Sequence, residues 1–404
     1  MSSLGNIEST PYAGLAIADF ATGDVLYLTG EAKNLVGKEA AEVMPLQKAL
    51  TTLKVNGFIF VKDALPVRQV PGTSTELSPY SPPVKLLKEE MEAKGISQLS
   101  AEGEAQPHAL LETIELHSST IATFKFRPSV SLKIRPGQAI ILDFKTLLGS
   151  PQYRHMSSEK PSLVNDDLVR TWTISAFTPI DGTTDYGAFE VTMKEKEGGV
   201  VTGALFNIAR GVRANRPVLL EDMRMLDVKP NIVGVSGDFF LDIMQEPTDT
   251  LLQGGMPARR LLWTAGGIGV TPFVVMLRAL TLSQSLEARN RQWDIVFALA
   301  TREPEVLLPI IQRAHGAAAP TPNIHLHLHI FSAKPIPEHV GLPFSFTVHN
   351  GRLEQGWFLE QGEGIKGRDA YVCGPLQFEE MVISALVKGL GMNKDLVKRE
   401  GFAH

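Results

Sequence analysis

The chain has 404 residues, with 39 Lys plus Arg against 44 Asp plus Glu, a net charge of −5 and a hydrophobic fraction of 44%. That length exceeds one ordinary domain, and the hydrophobic fraction is ample for packed cores. The mild acidity excludes nucleic acid as the main partner, since phosphate contacts need clustered Lys and Arg, and the single cysteine, Cys373, excludes an intrachain disulfide, an iron–sulfur cluster and a cysteine-type zinc site.

A lone thiol points to a reducing, intracellular location. Residues 1–8 carry neither a basic nor an apolar leader pattern. No apolar run reaches the ~20 residues that span a bilayer. The expectation is a soluble, cytoplasmic protein without a membrane span.

Residues 1–70 read as strands. Segments 13–20 and 24–30 are rich in apolar and aromatic residues around the turn at 21–24, which predicts a hairpin, and a further strand at 53–61 carries a plausible bulge at Gly57. Three or four strands make a poor independent core, so the segment reads as part of something larger. Residues 71–104 form a linker by composition, opening on a Pro- and Ser-rich run, with one short helix over 84–94.

Residues 105–255 return to strands at 110–117, 121–126, 138–144, 169–175 and 189–194, with a helix beginning near Thr202. Short strands separated by Pro and Gly turns predict a small barrel. Residues 256–404 alternate instead. Strands at 260–265, 293–300, 324–332 and 369–373 interleave with helices from Thr271, over 305–315 and from Leu376, which predicts a parallel sheet with ligands at its carboxyl edge.

The stretch that carries chemistry in this second half runs over residues 261–277, an apolar strand followed by Gly266, Gly267, Gly269, Thr271 and Pro272. Thr271 suits an N-cap and Pro272 the first helical position. The glycines allow a sharp turn and a close ligand. A helix N-terminus of this kind favours a phosphate or another electron-rich group; the alternative is a packed strand-to-helix turn. It departs from the G-x-G-x-x-G fingerprint, because Pro272 stands at the third glycine.

Its partner is Arg170-Thr-Trp-Thr-Ile-Ser175 in the barrel region. Strand alternation places Arg170, Trp172 and Ile174 on one face and Thr171, Thr173 and Ser175 on the other. A cation beside an aromatic plane can hold a phosphate and stack a ring; the alternative is an ion pair beside a core tryptophan. Gly199-Val200-Val201-Thr202 offers a second anion-binding helix start, with Thr202 as its cap.

Five motifs in order resemble the ferredoxin–NADP reductase-type flavoproteins. Arg170-Thr-Trp-Thr173 is similar to their Arg-x-Tyr-Ser/Thr with Trp in the tyrosine place. Gly199–Thr202 is similar to their Gly-x-x-Ser/Thr, Gly234-Val-Ser-Gly-Asp-Phe239 to the stretch that closes the flavin barrel, and Gly266–Pro272 and Cys373-Gly374-Pro375 to the two nicotinamide-lobe motifs. The resemblance implies an antiparallel six-stranded FAD-binding barrel followed by a parallel-sheet NAD(P)-binding lobe. It implies that Arg170 binds an FAD phosphate, Trp172 stacks on the isoalloxazine, Thr173 bonds near the hydride-accepting nitrogen and the amides of Gly199–Thr202 hold the pyrophosphate. The turn around Thr271 would receive NADH or NADPH beside Cys373, and Glu400, in a Glu-x-Phe ending, would approach the flavin edge.

The implied activity is hydride transfer from NAD(P)H to FAD and onward to an acceptor outside the chain: a haem or iron–sulfur protein, a quinone or a small metabolite. A tailoring enzyme acting on an organic substrate and a non-catalytic flavin-fold remnant are the alternatives. Residues 11–32 also resemble the latter half of a pyridoxamine-phosphate-oxidase-like split barrel. The front half of that barrel is missing, so no cofactor is expected there.

Three other features are weighed. His325, His327 and His329 share a strand face and could bind zinc, but the strand belongs to the nucleotide lobe and no metal is assigned. Arg302 and Glu303 follow a strand end where an arginine would take a 2′-phosphate and an acid a ribose hydroxyl; both are present, so the choice of nucleotide stays open. Met223, Met225, Phe239 and Phe240 read as barrel core, and the intervals 147–168 and 219–233 read as inserted loops.

Overall fold

In a computed structural model of the chain, the described residues are 2–45, 47, 49–69, 86–93, 97–98, 106–149, 166–179, 186–243, 258–282, 292–316, 323–336 and 341–401. The chain forms two compact units, residues 1–94 with 151–167, and residues 95–150 with 168–404.

The first unit is built on an antiparallel meander of β1 (Tyr12–Ala18), β2 (Val25–Val36) and β3 (Ala49–Val61) in that order. The expected hairpin is present, and β2 and β3 run longer than the sequence pattern indicated. The bulge lies at Asn56, beside Gly57, where the register slips between Thr29 and Gly30.

The second unit begins with the barrel. Its strands are β4 (Ser97–Gln98), β5 (Ala109–Leu116), β6 (Ile121–Pro128), β7 (Ala139–Asp143), β8 (Val169–Thr173), β9 (Ala176–Pro179), β10 (Tyr186–Lys194) and β11 (Asn231–Ser236). They pair as β5-β6-β10-β9 and β4-β11-β7-β8. β8 and β9 are one strand interrupted at Ile174 and Ser175, whose amides donate to Gln138 O (3.0 Å) and Glu190 O (2.8 Å). The chain therefore passes from one sheet to the other at that point, and the uninterrupted alternation expected through Ser175 stops at Thr173. The other seam closes through Ala109 N–H to Pro230 O (2.9 Å) and Ile232 N–H to Pro107 O (2.7 Å). With β8–β9 counted once and the short β4 set aside, six antiparallel strands close the barrel, as expected.

Aromatic side chains fill it. Phe126 stacks on Phe189 with centroids 5.5 Å apart, and Phe124 meets Phe206 edge-on at 5.7 Å. Phe206 belongs to the helix Val200–Asn215, which plugs the barrel with Val201, Leu205, Phe206 and Ala209. That helix starts at Val200 with Gly199 in the cap position, two residues earlier than Thr202 suggested.

The lobe is a six-stranded parallel sheet. Its strands are β12 (Ala258–Gly266), β13 (Gln292–Ala300), β14 (Ile324–Ser332), β15 (Ser345–Asn350), β16 (Asp369–Gly374) and β17 (Val397–Gly401), in the order β15-β14-β13-β12-β16-β17. Beyond the charged residues at their starts, Arg259, Arg260 and Asp369, β12 and β16 are largely apolar and buried on both faces, as parallel strands covered by helices are. The order reverses at β12, so the crevice beyond its carboxyl end is the topological switch point. The next helix, Thr271–Leu282, is buried nearly all round. Phe273, Met276 and Leu277 join the lobe core, whereas Val275 and Ala279 join the barrel core. Barrel and lobe are thus held together by the helix of the central motif.

Phe239 also changes role: it packs edge-on against Phe273 (6.0 Å) and Tyr371 (5.4 Å) of the lobe rather than in the barrel. Met223 is buried as expected, but Met225 is exposed, and Phe240 lies partly open beneath Arg135 (4.6 Å) and Lys398 (5.6 Å). No helix among the described residues is long and apolar enough to cross a membrane.

Candidate functional site

Three lobe strands end side by side. Ala265 of β12 is in register with Cys373 of β16, and Cys373 with Glu400 of β17. The glycines at this edge serve packing more than ligand access. A Cβ at Gly269 would collide with the carbonyl of Cys373, standing 2.7 Å from its carbon, and one at Gly374 would stand 2.7 Å from Phe378. A Cβ at Gly266 would stand 3.0 Å from Phe378 and Pro375. Gly267, at φ +56°, alone has open space in front of it, and its positive φ is the conformation that glycine adopts without strain.

Thr271 does not cap the helix. A 3₁₀ turn over Gly267–Val270 precedes it, Thr271 is already helical at φ −57° and ψ −42°, and its hydroxyl donates to Ile268 O (3.2 Å). The backbone groups that open toward the crevice therefore belong to the 3₁₀ turn, and Pro272 is buried in the helix behind it. Cys373 is fully buried among the lobe's apolar side chains. Pro375 occupies the cap position of the helix Leu376–Ile383.

On the barrel side, the start of β7 is the hub. Ala139 pairs with Thr173 on one flank and Ser236 on the other. Gly237 follows at φ +109°, and a Cβ there would lie 3.9 Å from Glu400 Oε1 and 4.0 Å from Ala139 N. The Gln138 amide donates to Gly237 O (3.0 Å) and its oxygen accepts Arg135 N–H (2.8 Å), which pins the two strand ends. Thr173, Ala139, Gly237, Glu400, Cys373 and Gly269 thus form a run of neighbours across the junction of barrel and lobe, with Ala139 linking Thr173 to Gly237. Gln138 and Gly237 were not singled out as site residues in the sequence, although the turn at 135–138 and the positive-φ glycine are local signals.

Two atoms at this junction stand out. Among the described residues, the Thr173 hydroxyl and Glu400 Oε2 are both buried and have no hydrogen-bond partner. Such groups are costly to leave unsatisfied. Burial pushes the Glu400 carboxyl up to about 8, with Asp238 and Glu379 adding to the shift. Glu379, itself buried, is also pushed up by burial, although it accepts Gly374 N–H (3.3 Å). Burial, then Glu400 and Glu379, hold the Cys373 thiol well above its ordinary range. The junction is therefore proton-rich at neutral pH, with a carboxylic acid and a thiol rather than two anions.

Around it, Trp172 is half-buried and meets Phe144 edge-on at 5.7 Å, which fixes its ring. Thr171 is exposed. Arg170 Nη1 donates to Val169 O (2.9 Å). At the helix start, Thr202 Oγ1 accepts Lys196 N–H (3.2 Å) and fills the space a Cβ on Gly199 would need. This ties the turn down and leaves the first amides of the helix, Val200 to Thr202, without intrahelical acceptors. Lys194, just before that turn, pairs with Glu303 beyond the end of β13. Arg302 is exposed and makes no hydrogen bond or ion pair among the described residues.

The histidine row lies elsewhere. His327 places its ring nitrogens 2.8 Å from Ser345 Oγ and 2.9 Å from Thr347 Oγ1, and His329 Nδ1 is 3.0 Å from His349 Nε2. Burial, then His327 and His349, push His329 down to about 4. The described residues contain no set of three His, Cys, Asp or Glu able to hold a metal. A cavity of about 290 Å³ lined by Asp294, His315, His325 and Phe344 opens at the amino edge of the sheet, away from the carboxyl edge where parallel sheets bind ligands.

No protein-family model and no curated protein sequence matches the chain. Among solved structures, it is similar to the flavohem-like FAD/NAD-binding domain of a nitric oxide dioxygenase from Vibrio cholerae O1 biovar El Tor, at 14% identity and a TM-score of 0.43, over 74% of this chain and 99% of that one. It is similar to a ferredoxin NADP+ reductase from Neisseria gonorrhoeae with bound FAD and NADP, at 13% identity and a TM-score of 0.45, over 74% and 99%. It is also similar to the cytochrome b5 reductase domain of an Ulva prolifera nitrate reductase, at 15% identity and a TM-score of 0.39, over 73% and 97%.

Proposed function

We infer that the chain is an FAD-dependent oxidoreductase that takes a hydride from a pyridine nucleotide and passes electrons to an acceptor outside the chain. The observation that carries this reading is the pair of buried, unpartnered groups, Thr173 Oγ1 and Glu400 Oε2, at the junction of barrel and lobe. FAD would be held by residues 105–255 and the nucleotide by residues 256–404. FAD supplies the hydride-accepting ring; every other contribution comes from the chain.

Arg170 and the amides of Val200, Val201 and Thr202 are the groups suited to the pyrophosphate, through charge and through a helix N-terminus. Trp172 offers a ring to stack against, held edge-on by Phe144. The Thr173 hydroxyl, which has no partner among the described residues, would supply a hydrogen bond to the flavin. Glu400 keeps a proton at neutral pH, so no negative charge faces the ring that gains electrons. Gly267 and the 3₁₀ turn, with Cys373-Gly374-Pro375 beside them, would receive the nicotinamide.

The preferred nucleotide is NADPH. Glu303, the acid that would accept a ribose hydroxyl, is engaged by Lys194, while exposed Arg302 is available for a 2′-phosphate. The acceptor would be a haem or iron–sulfur protein, a quinone or a small metabolite. The test is anaerobic stopped-flow reduction of FAD-loaded protein by NADPH and NADH in turn. Fast bleaching of the flavin bands by NADPH is expected. FAD binding without reduction by either nucleotide would assign the chain to a non-catalytic flavin-fold protein, and failure to bind FAD would overturn the reading altogether.

A further inference from the structure

The lobe-facing side of the barrel carries a buried row of hydroxyls. Phe124, Phe126, Val191 and Met193 fill the barrel, so by strand alternation Thr123 and Thr192 point the other way. On that side Ile121 joins the lobe core and Lys194 pairs with Glu303. Register sets Thr123 opposite Thr192, and their hydroxyls are 2.8 Å apart. Thr192 donates to Ser175 Oγ (2.8 Å), and Ser175 Oγ donates to Glu190 O (3.2 Å). At the other end His117 Nε2 lies 2.7 Å from Thr123 Oγ1. Thr123, Thr192 and Ser175 are buried, and the His117 side chain is 8% exposed.

The row runs in one direction, because a hydroxyl has a single proton to donate. Ser175 gives its proton to a carbonyl and Thr192 gives its proton to Ser175, so Thr123 must donate to Thr192 and accept from His117 Nε2–H. Burial pushes the His117 pKa down, Glu115 opposes the shift and Arg313 adds to it. The ring is therefore neutral at pH 7, and its one proton sits on Nε2. Nδ1 faces Glu115 Oε1 (3.5 Å), and the Glu115 carboxylate accepts from Arg313 of the lobe helix Pro304–His315 at 2.7 and 2.8 Å. A carbonyl cannot pass a proton on, so the row holds position rather than conducting.

On the reading of the chain as an FAD- and NAD(P)H-dependent oxidoreductase, we propose that His117, Thr123, Thr192 and Ser175 are positioning residues for hydride transfer. They fix the strand crossing that presents Thr173 relative to the lobe that receives the nucleotide. Ser175 grips Glu190 O through its amide (2.8 Å) as well as its hydroxyl, where the chain crosses from β8 to β9, two residues after Thr173. The His117 end lies beside the Glu115–Arg313 pair, which ties barrel to lobe. Buried networks of this kind, with each member satisfied, hold one arrangement. A displacement of about 1 Å between reacting groups costs on the order of a hundredfold in rate, so a slackened row is read directly in the hydride step.

Two measurements on the full chain test this. NMR of apoprotein carrying 15N-labelled histidine is expected to show His117, assigned by its absence from His117→Gln, as the Nε2–H tautomer at pH 7. The Nδ1–H tautomer overturns the proposal, and this result does not depend on FAD. In anaerobic stopped-flow of FAD-loaded protein, Thr192→Val keeps the side-chain shape and removes one hydroxyl. It is expected to slow flavin reduction about tenfold at saturating NADPH, with the half-saturating concentration unchanged, and Thr192→Ser is expected to restore the rate. Should Thr192→Val fail to fold, Ser175→Ala removes the end of the row and is expected to slow reduction likewise. A variant that melts at lower temperature yet is reduced at the wild-type rate overturns the proposal while leaving the flavin reading intact, as does an equal loss in Thr192→Ser. A wild type that binds no FAD overturns the flavin reading and the kinetic role together, whatever the tautomer.

Discussion

Replacing Glu400 by glutamine tests the proton-rich junction most directly. In the folded chain burial and two neighbouring acids hold this carboxyl protonated up to about pH 8, against an ordinary value of 4.5. Between those limits the native state binds more protons than the unfolded state, so stability falls as pH rises from 4.5 to 8 and then levels off. At about 1.4 kcal/mol per unit, the cost at pH 7 is about 3 kcal/mol, rising to about 5 above pH 8. Glutamine has the shape of the protonated acid and cannot ionise. Glu400→Gln is therefore expected to match the wild type near pH 4.5 and to be more stable by about 3 kcal/mol at pH 7. Urea denaturation of the apoprotein from pH 5 to 9, followed by tryptophan fluorescence, measures this, since Trp172, Trp263, Trp293 and Trp357 all lie in the barrel–lobe unit. Parallel pH profiles for variant and wild type would refute the reasoning, because they would mean that the carboxyl is already ionised in the folded chain.

Three further outcomes are expected. Thr173→Val removes an unpartnered buried hydroxyl, so the apoprotein gains about 1 kcal/mol in denaturation while the rate of flavin reduction falls about tenfold in stopped-flow. Arg302→Ala raises KM for NADPH roughly 10- to 100-fold, the worth of a charge-assisted phosphate contact, and leaves KM for NADH nearly unchanged in steady-state assays. Gly269→Ala drives a Cβ into the Cys373 backbone, costs about 1–3 kcal/mol of stability and slows nucleotide-dependent reduction by spreading the strand ends; unchanged Tm and rate would show that the edge is looser than described.

Local patterning in the sequence determined much of this molecule. The alternation in 110–128 and 189–194 made strands of a barrel, and the apolar runs at 260–265 and 369–373 made buried parallel strands, because side-chain period and burial are local properties. The motif residues were legible for the same reason: Gly237 and Gly267 adopt positive φ in turns written into short peptides.

What the sequence left unread depends on partners distant along the chain. β17 is Val-Lys-Arg-Glu-Gly, a polar stretch with no apolar period, and it is a strand only because β16 offers it an edge. β15 lies at the other edge and is largely exposed, although Phe346 and Val348 alternate with Ser345, Thr347 and His349 along it. Thr271 had the composition of a cap, yet a 3₁₀ turn whose glycine packs on Cys373 starts the helix earlier and takes its hydroxyl. Glu303 and Arg302 were equal candidates until Lys194, more than a hundred residues upstream, engaged one of them. The protonation of Glu400 was invisible in sequence, because a carboxyl's pKa is set by what surrounds it, and only the convergence of barrel and lobe strand ends brings Asp238 and Glu379 to its side.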